Sequence, residues 1–489
     1  MQQVRRKCRL ANLNCKYPGK TGVKDIRRYI LTPNYSLRGW ELLPYAVQHL
    51  YAPKTEFFRE HEWELFKACD GRTDICWDDL SEDDRSYYEH WLKGGFIKPA
   101  EEGERLMPLQ EYRYYDARFK ESVQWSITGK CNYKCRHCFM SAPHAAQGEP
   151  TWDQLMQMLD SFERCGIKGL NLTGGEPMIR KDFWPLVDEI LKRGMMIPNL
   201  YSNGYLITDS FLDELDKRHI RPVFQFSFDG VGYHDWMRGI DGAEKSVIDA
   251  MKRCRDRGYR FGASMVLFKE SKDSIRESVN LLASLGCSYL KVGNASPQGE
   301  WKDQPEHYLT QEETYEAFLE YIPHYFEDGK PLTIGLEGFF NYDIGRGEAG
   351  AFNEKGIDES IFSKALMCGH VRREMYVSPK GNVLSCMSMV GGPIEEQFPN
   401  MLETPLEEIL DSSSLYMDIV NYRVSDFMEH NPECRTCEYR TLCCGGCRAV
   451  AVRDHPTDYL AKDELTCRYF KDGWKEKKDE LLRKINQSV

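Results

Sequence analysis

The chain reads as an α/β protein built on a parallel sheet, with a separate module before it and a cysteine-rich module after it. Three observations predict this. Strand-like and helix-like segments alternate six times between residues 123 and 292, the first 115 residues lack that alternation, and cysteines recur at set spacings beyond residue 360.

The first module opens on a basic arm, RRKCRLANLNCKYPGK, which holds Cys8 and Cys15. Residues 25–32 and 36–42 then predict a hairpin around Pro33-Asn34, since both turn residues punctuate a strand pattern. A helix is expected over 57–69, stopped by Asp70-Gly71, and another over 82–92, ending at Gly94-Gly95 before Phe96-Ile97. In the second module, strands are expected near 123–127, 168–172, 197–201, 223–228, 261–267 and 288–293. Amphipathic runs at 152–165, 183–193 and 243–257 lie between them. Strand, helix, strand in repeating order makes a parallel sheet, because only a crossover connection brings the chain back in the same direction. Residues 298–358, rich in Gly, Glu and aromatics, read as a bridge without a legible task.

A chain of 489 residues with 41% hydrophobic content is enough for two or three cores. Its net charge of -11 argues against nucleic acid as a partner. No apolar run reaches membrane-spanning length and the start, MQQVRRKCRL, has no apolar signal core, so a cytoplasmic protein without a membrane partner is expected. Eighteen cysteines in a reducing compartment make a poor disulfide inventory and a good ligand inventory. Cys8, Cys15, Cys69, Cys76, Cys165, Cys254 and Cys287 stand alone and read as buried apolar residues.

The chemistry is concentrated at Cys131, Cys135 and Cys138, a CxxxCxxC run in the loop after the first strand of the second module. Three thiolates on a four-iron cluster leave one iron open to another ligand. A structural zinc site is the bland alternative, but zinc pairs are usually spaced by two residues and accompanied by a second pair. Thr173-Gly174-Gly175-Glu176-Pro177 follows the next strand. Glycines let backbones approach closely, and a carboxylate accepts from an ammonium.

Together these motifs resemble the signature of the radical S-adenosylmethionine (SAM) superfamily. The resemblance implies a partial (β/α)6 TIM-type barrel holding one [4Fe-4S] cluster on Cys131, Cys135 and Cys138. It places the SAM amino group at Gly174, Gly175, Glu176 and Pro177, and its ribose and carboxylate at Asn203, Ser227 and Arg238. His137 takes the ring position beside adenine, with no part as a metal ligand. An external one-electron donor such as flavodoxin or ferredoxin would be needed, with SAM cleaved to methionine and a 5′-deoxyadenosyl radical.

Cys368, Gly381, Cys386, Cys434, Cys437, Cys443, Cys447 and Cys467 follow C-x12-G-x4-C, then C-x2-C-x5-C-x3-C, then a last C. This resembles the SPASM extension of peptide-modifying radical SAM enzymes, and implies two auxiliary [4Fe-4S] clusters. By that resemblance Cys434, Cys437, Cys443 and Cys467 hold one, and Cys368, Cys386 and Cys447 hold the other. Residues 369–385 offer no fourth cysteine, so an open iron is expected there, with Cys444 or Glu374 as possible intruders. A substrate thiolate on that iron would lead to a thioether.

The order of hairpin, helix, DG turn, helix and GGFI resembles the winged-helix-like domain that captures leader peptides in ribosomal peptide maturation. Residues 57–105 carry 14 Asp and Glu against 7 Lys and Arg, which disfavours the alternative of DNA binding. The leader would add as a strand on the hairpin edge. The expected domains are 1–115 for leader recognition, 116–300 for the barrel, 301–360 for the bridge and 361–489 for the auxiliary clusters. The expected function is maturation of a ribosomally made precursor peptide, with a thioether as leading product. Carbon–carbon crosslinking, epimerisation and sulfatase-type maturation are the enzymatic alternatives, and a redox-sensing DNA-binding regulator is the non-enzymatic one. No catalytic residue or general base is identifiable.

Overall fold

The computed structural model describes residues 24–488 apart from 53, 351–355 and 412–413; Cys8 and Cys15 lie outside the described residues. The chain forms two compact units, one running to Glu121 with Arg164–Gly166, the other comprising Ser122–Glu163 and Ile167 onward.

In the first unit the strands are β1 Ile26–Arg27, β2 Tyr29–Leu31, β3 Tyr35–Glu41, β4 Leu43–His49, β5 Thr55–Phe57, β6 Ile75–Cys76, β7 Ile97–Pro99 and β8 Arg113–Arg118. Helices α1 Glu60–Lys67 and α2 Glu82–Lys93 pack Trp63, Phe66, Tyr88 and Trp91 against Tyr29, Leu37 and Val47. The expected hairpin around Pro33-Asn34 is corrected here. β2 pairs with β7, while β3 pairs antiparallel with β4 about Leu42, which adopts φ 62°. The Pro33 turn does form, with Tyr35 N donating to Thr32 O at 3.1 Å, but the backbone bonds of 31 and 32 go to Cys69 O and Phe96 O instead. The helix expected from residue 57 starts at Glu60, because Thr55–Phe57 is taken up as a strand against β4.

The second unit carries β9 Ser122–Ser126, α3 Trp152–Arg164, β10 Gly169–Thr173, α4 Phe183–Lys192, β11 Asn199–Ser202, α5 Asp209–Lys217, β12 Val223–Ser227, α6 His234–Arg238 and α7 Ala243–Asp256. It continues with β13 Phe261–Leu267, α8 Ile275–Ser284, β14 Tyr289–Asn294, α9 Gln311–Glu327, β15 Thr333–Leu336, β16 Phe340–Asp343, β17 Glu348–Gly350, α10 His370–Arg373, β18 Glu374–Val377 and β19 Val383–Leu384. Strands β9 to β14 run parallel in sequence order, as the six repeated strand and helix units predict. The period-two pattern explains it: Val123, Trp125, Leu170, Leu172, Phe224 and Phe226 are buried beneath the helices, whereas Gln124, Asn171, Asn199 and Gln225 alternate with them. Helix α3 supplies Leu155, Met158, Leu159 and Phe162 at helical spacing, and Trp125 meets Phe162 edge-on at 5.3 Å.

The sheet extends past the six expected strands. β15, from the segment read as a bridge, adds in parallel to β14, and β18, from the expected auxiliary-cluster segment, adds in parallel to β9. Among the described residues no ladder joins its two ends. The polar face is knitted across strands: Ser122 Oγ and Asn171 Nδ2 donate to Glu374 Oε1 at 3.0 and 2.5 Å, and Asn199 Nδ2 donates to Asn171 Oδ1 at 2.9 Å. Beyond β19 the described residues form α-helices of four to eight residues and a last one of 15, Trp474–Ser488. No helix of the described residues is long and apolar enough to cross a membrane.

Candidate functional site

The CxxxCxxC loop leaves the C-terminal end of β9 and is clamped by two backbone approaches that only glycine permits. Gly175 N and Glu176 N donate to Thr128 O and Lys130 O, both at 2.9 Å. A Cβ on Gly175 would stand 2.1 Å from Lys130 O, and one on Gly174, at φ 151°, 2.4 Å from Thr128 O. On the other side Arg136 N donates to Met237 O at 2.9 Å, and Gly239 lets Lys134 O close in.

Each thiol of the loop accepts N–H donors. Tyr133 N reaches Cys131 Sγ at 3.4 Å, Ala142 N reaches Cys138 Sγ at 3.3 Å, and Arg238 Nη1 reaches Cys135 Sγ at 3.7 Å. Burial pushes Cys131 up to about 12 and Cys138 up to about 11, so these thiols ionise only if a cationic group binds them. Donors aimed at three adjacent sulfurs suit an iron–sulfur cluster, whose thiolates carry negative charge.

Glu176 is fully buried at the end of the TGGEP turn. Its Oε2 accepts from Asn203 N at 2.8 Å and Ser202 Oγ at 3.2 Å, while Oε1 has no partner. Burial pushes its carboxyl up to about 7. A buried, half-satisfied carboxylate is costly unless a donor arrives, which fits the ammonium of an amino acid. Pro177 opens the following turn and is buried. Asn203 Nδ2 donates to Asn132 Oδ1 at 2.8 Å, tying the end of β11 to the cysteine loop. Ser227 ends β12. His137 is half-buried, and burial pushes its imidazole down to about 4, so the ring is neutral; its Nδ1 has no partner.

The structure brings Cys131, Cys135, Cys138, Glu176, Asn203 and Arg238 together. It also shows Asn132 and Asp229 in roles that spacing alone does not reveal. Asp229 is fully buried and 2.6 Å from Arg238 Nε. Burial alone would raise its carboxyl, but the Arg238 guanidinium holds it well below the usual carboxylate range.

The C-terminal cysteines fall into two neighbourhoods. Cys434, Cys437, Cys443 and Cys467 line one cavity with Phe427, Phe470 and Asp463. Cys386 is close enough to Cys368 and to Cys447 for their charges to interact. Asp463 stands between the neighbourhoods: its Oδ2 accepts from Cys447 N at 2.8 Å, and it lines the four-cysteine cavity. Of the two possible intruders, Cys444 lines the cavity of the four and donates to Thr441 O, and Glu374 is engaged by Ser122, Asn171 and His370 within the sheet.

Comparison with known proteins agrees with these features. Residues 125–282 match the Radical SAM superfamily, and residues 368–438 match the SPASM family, described as an iron-sulfur cluster-binding domain. An AdoMet-dependent heme synthase of Nitratidesulfovibrio vulgaris is 25% identical over 358 residues, 71% of this chain and 92% of that one. A PqqA peptide cyclase of Granulibacter bethesdensis is 24% identical over 332 residues, 66% of this chain and 81% of that one. Among solved structures, Streptococcus suis SuiB bound to precursor peptide SuiA superposes with a TM-score of 0.60 at 16% identity, covering 90% of this chain and 100% of that one.

Proposed function

We propose, from a chain that carries a radical SAM domain at 125–282 and a SPASM domain at 368–438, that it matures a ribosomally made precursor peptide by hydrogen-atom abstraction. The observation that carries this reading is the three-thiol loop beside a buried carboxylate with one oxygen unpartnered. When bound, the cluster and SAM supply a 5′-deoxyadenosyl radical after one-electron reduction by a donor such as flavodoxin or ferredoxin. The chain does the rest by position. Cys131, Cys135 and Cys138 hold the cluster. Glu176 accepts the SAM ammonium, Gly174, Gly175 and Pro177 shape the turn that presents it, and Asn203, Ser227 and Arg238 face its ribose and carboxylate. His137 offers a neutral ring to adenine.

Peptide-acting relatives support the peptide substrate, as does the fold shared with a structure that holds a precursor peptide. The heme synthase relatives favour a second reading, in which the substrate is a heme precursor. The first unit speaks for the peptide. Its four-stranded sheet, in the order β5-β4-β3-β8, covers both sides of the β3–β4 hairpin, so a leader strand would add to the outer edge of β8 or β5 rather than to the hairpin itself. Tyr112 and Tyr114 are exposed at the β8 edge, and Phe57 on β5.

Three auxiliary thiols, Cys368, Cys386 and Cys447, leave room for a substrate thiolate, which makes a sulfur-to-carbon thioether the leading product. Cys434, Cys437, Cys443 and Cys467 hold the other auxiliary cluster. The test is anaerobic reaction with SAM, reductant and a small leader-bearing cysteine peptide in deuterated water, read by mass. Loss of two hydrogens with one cysteine no longer alkylated is the expected result. Gain of one deuterium with free thiols would mean epimerisation. An unchanged peptide beside a converted heme precursor would overturn the peptide reading.

A further inference from the structure

A buried ion pair, Arg238 with Asp229, lies beneath Cys135. Arg238 is the last residue of α6, and Arg136 of the loop is bonded to the two residues before it, its backbone N to Met237 O and its side-chain Nε to Trp236 O. The Arg238 guanidinium is almost wholly buried. Nε lies 2.6 Å from Asp229 Oδ2, and Nη1 donates to Cys135 Sγ at 3.7 Å.

Asp229 is in turn immobilised. Its Oδ1 accepts from Val266 N at 3.2 Å, and its own N–H donates to His234 Nδ1 at 3.0 Å. A ring nitrogen that accepts a hydrogen bond carries no proton, so His234 is neutral and adds no positive charge. Its ring stacks on Phe228 at 5.4 Å. The result is a fixed dipole with its negative end on Asp229 and its positive end, the Arg238 guanidinium, against the sulfur of Cys135.

We propose that Arg238, held by Asp229, tunes the redox potential of the cluster as a positioning residue, through its N–H···S bond to Cys135. The inference rests on the reading that a cluster sits on Cys131, Cys135 and Cys138. Adding one electron to such a cluster increases the negative charge on its sulfurs, and a charged donor on one sulfur stabilises the reduced state. Hydrogen bonds to the sulfurs and local charge are the protein's main levers on these potentials. Arg238 therefore raises the potential toward the range of its low-potential one-electron donor.

The test is a potentiometric titration of full-length reconstituted protein, followed by electron paramagnetic resonance without SAM, for the native chain, Arg238→Gln and Arg238→Lys. A variant with Cys131, Cys135 and Cys138 all changed to Ala gives the auxiliary signals to subtract. Arg238→Gln is expected to lower the equilibrium constant for reduction about tenfold, about 59 mV for a one-electron couple, at unchanged iron and sulfide content. Arg238→Lys keeps the charge but cannot hold both partners at once, and recovers part of the shift. Should Arg238→Gln lose iron, Arg238→Lys decides alone: a shift of the same sign supports the inference. An unchanged potential without SAM, or a shift that occurs only after SAM is added, overturns it. If the triple cysteine variant keeps every signal, the reading beneath the inference falls instead.

Discussion

Two sets of three cysteines lie in this chain, and they are built in opposite ways. Cys131, Cys135 and Cys138 sit on one loop within eight residues, and the chain around them is fixed by backbone contacts at Gly174, Gly175 and Gly239. Cys368, Cys386 and Cys447 come from segments up to 79 residues apart and meet only because the C-terminal region folds. The first set is a local object attached to a strand end. The second is a tertiary one, so its geometry is more sensitive to its surroundings.

Cysteine substitutions break the comparison hardest. Changing Cys131, Cys135 or Cys138 to Ala is expected to abolish formation of 5′-deoxyadenosine, by at least about a thousandfold, on the scale of losing a cofactor that carries the chemistry. Changing Cys386 to Ala is expected to leave SAM cleavage measurable while the peptide product disappears. Chromatography of 5′-deoxyadenosine beside peptide mass spectrometry reads both. Equal loss of SAM cleavage at Cys386 would show that the two sets work as one.

Glu176 gives the next largest effect. Glu176→Gln removes a charge-assisted bond of about 1.5–3 kcal/mol, so SAM affinity should fall roughly tenfold to a hundredfold by calorimetry. Because burial pushes the free carboxyl up to about 7, and an ammonium needs the ionised form, native affinity should weaken as pH falls below 7. The variant should lose that slope. The same shift has a cost without ligand. A carboxyl raised above its unfolded value of about 4.3 favours the fold below that pH, and that stability is lost as pH rises to about 7.

What could be read in advance follows the same division. The six strands and their helices were legible because a period of two sits next to a period of 3.6, as in Val123 and Trp125 against Leu155, Met158 and Phe162. The cysteine loop and TGGEP were legible because their chemistry is written in consecutive residues. The hairpin was misplaced because β2 and β3 are adjacent in sequence but satisfy their backbones on different partners, β7 and β4, and propensity cannot choose between them. The strands β15 and β18 were missed because short segments of four residues carry little pattern. The role of Asp229 was not legible because nothing in Ser-Phe-Asp-Gly announces an arginine nine residues on that will claim it.

The finest contrast comes from a single methyl group placed at each set. Gly175→Ala forces a Cβ to within 2.1 Å of Lys130 O, a backbone atom that cannot swing aside, so the loop must shift. Overpacking of this kind costs about 1–3 kcal/mol, and reduced iron retention on the first set should accompany a lower unfolding midpoint. Gly369, the neighbour of Cys368, has helical φ and nothing within 4 Å of an added Cβ. Gly369→Ala should therefore change stability by no more than about 0.5 kcal/mol and leave iron content unaltered. A large effect at Gly369 with none at Gly175 would reverse the assignment of which set depends on close backbone approach, since only the first has carbonyls where a side chain would go.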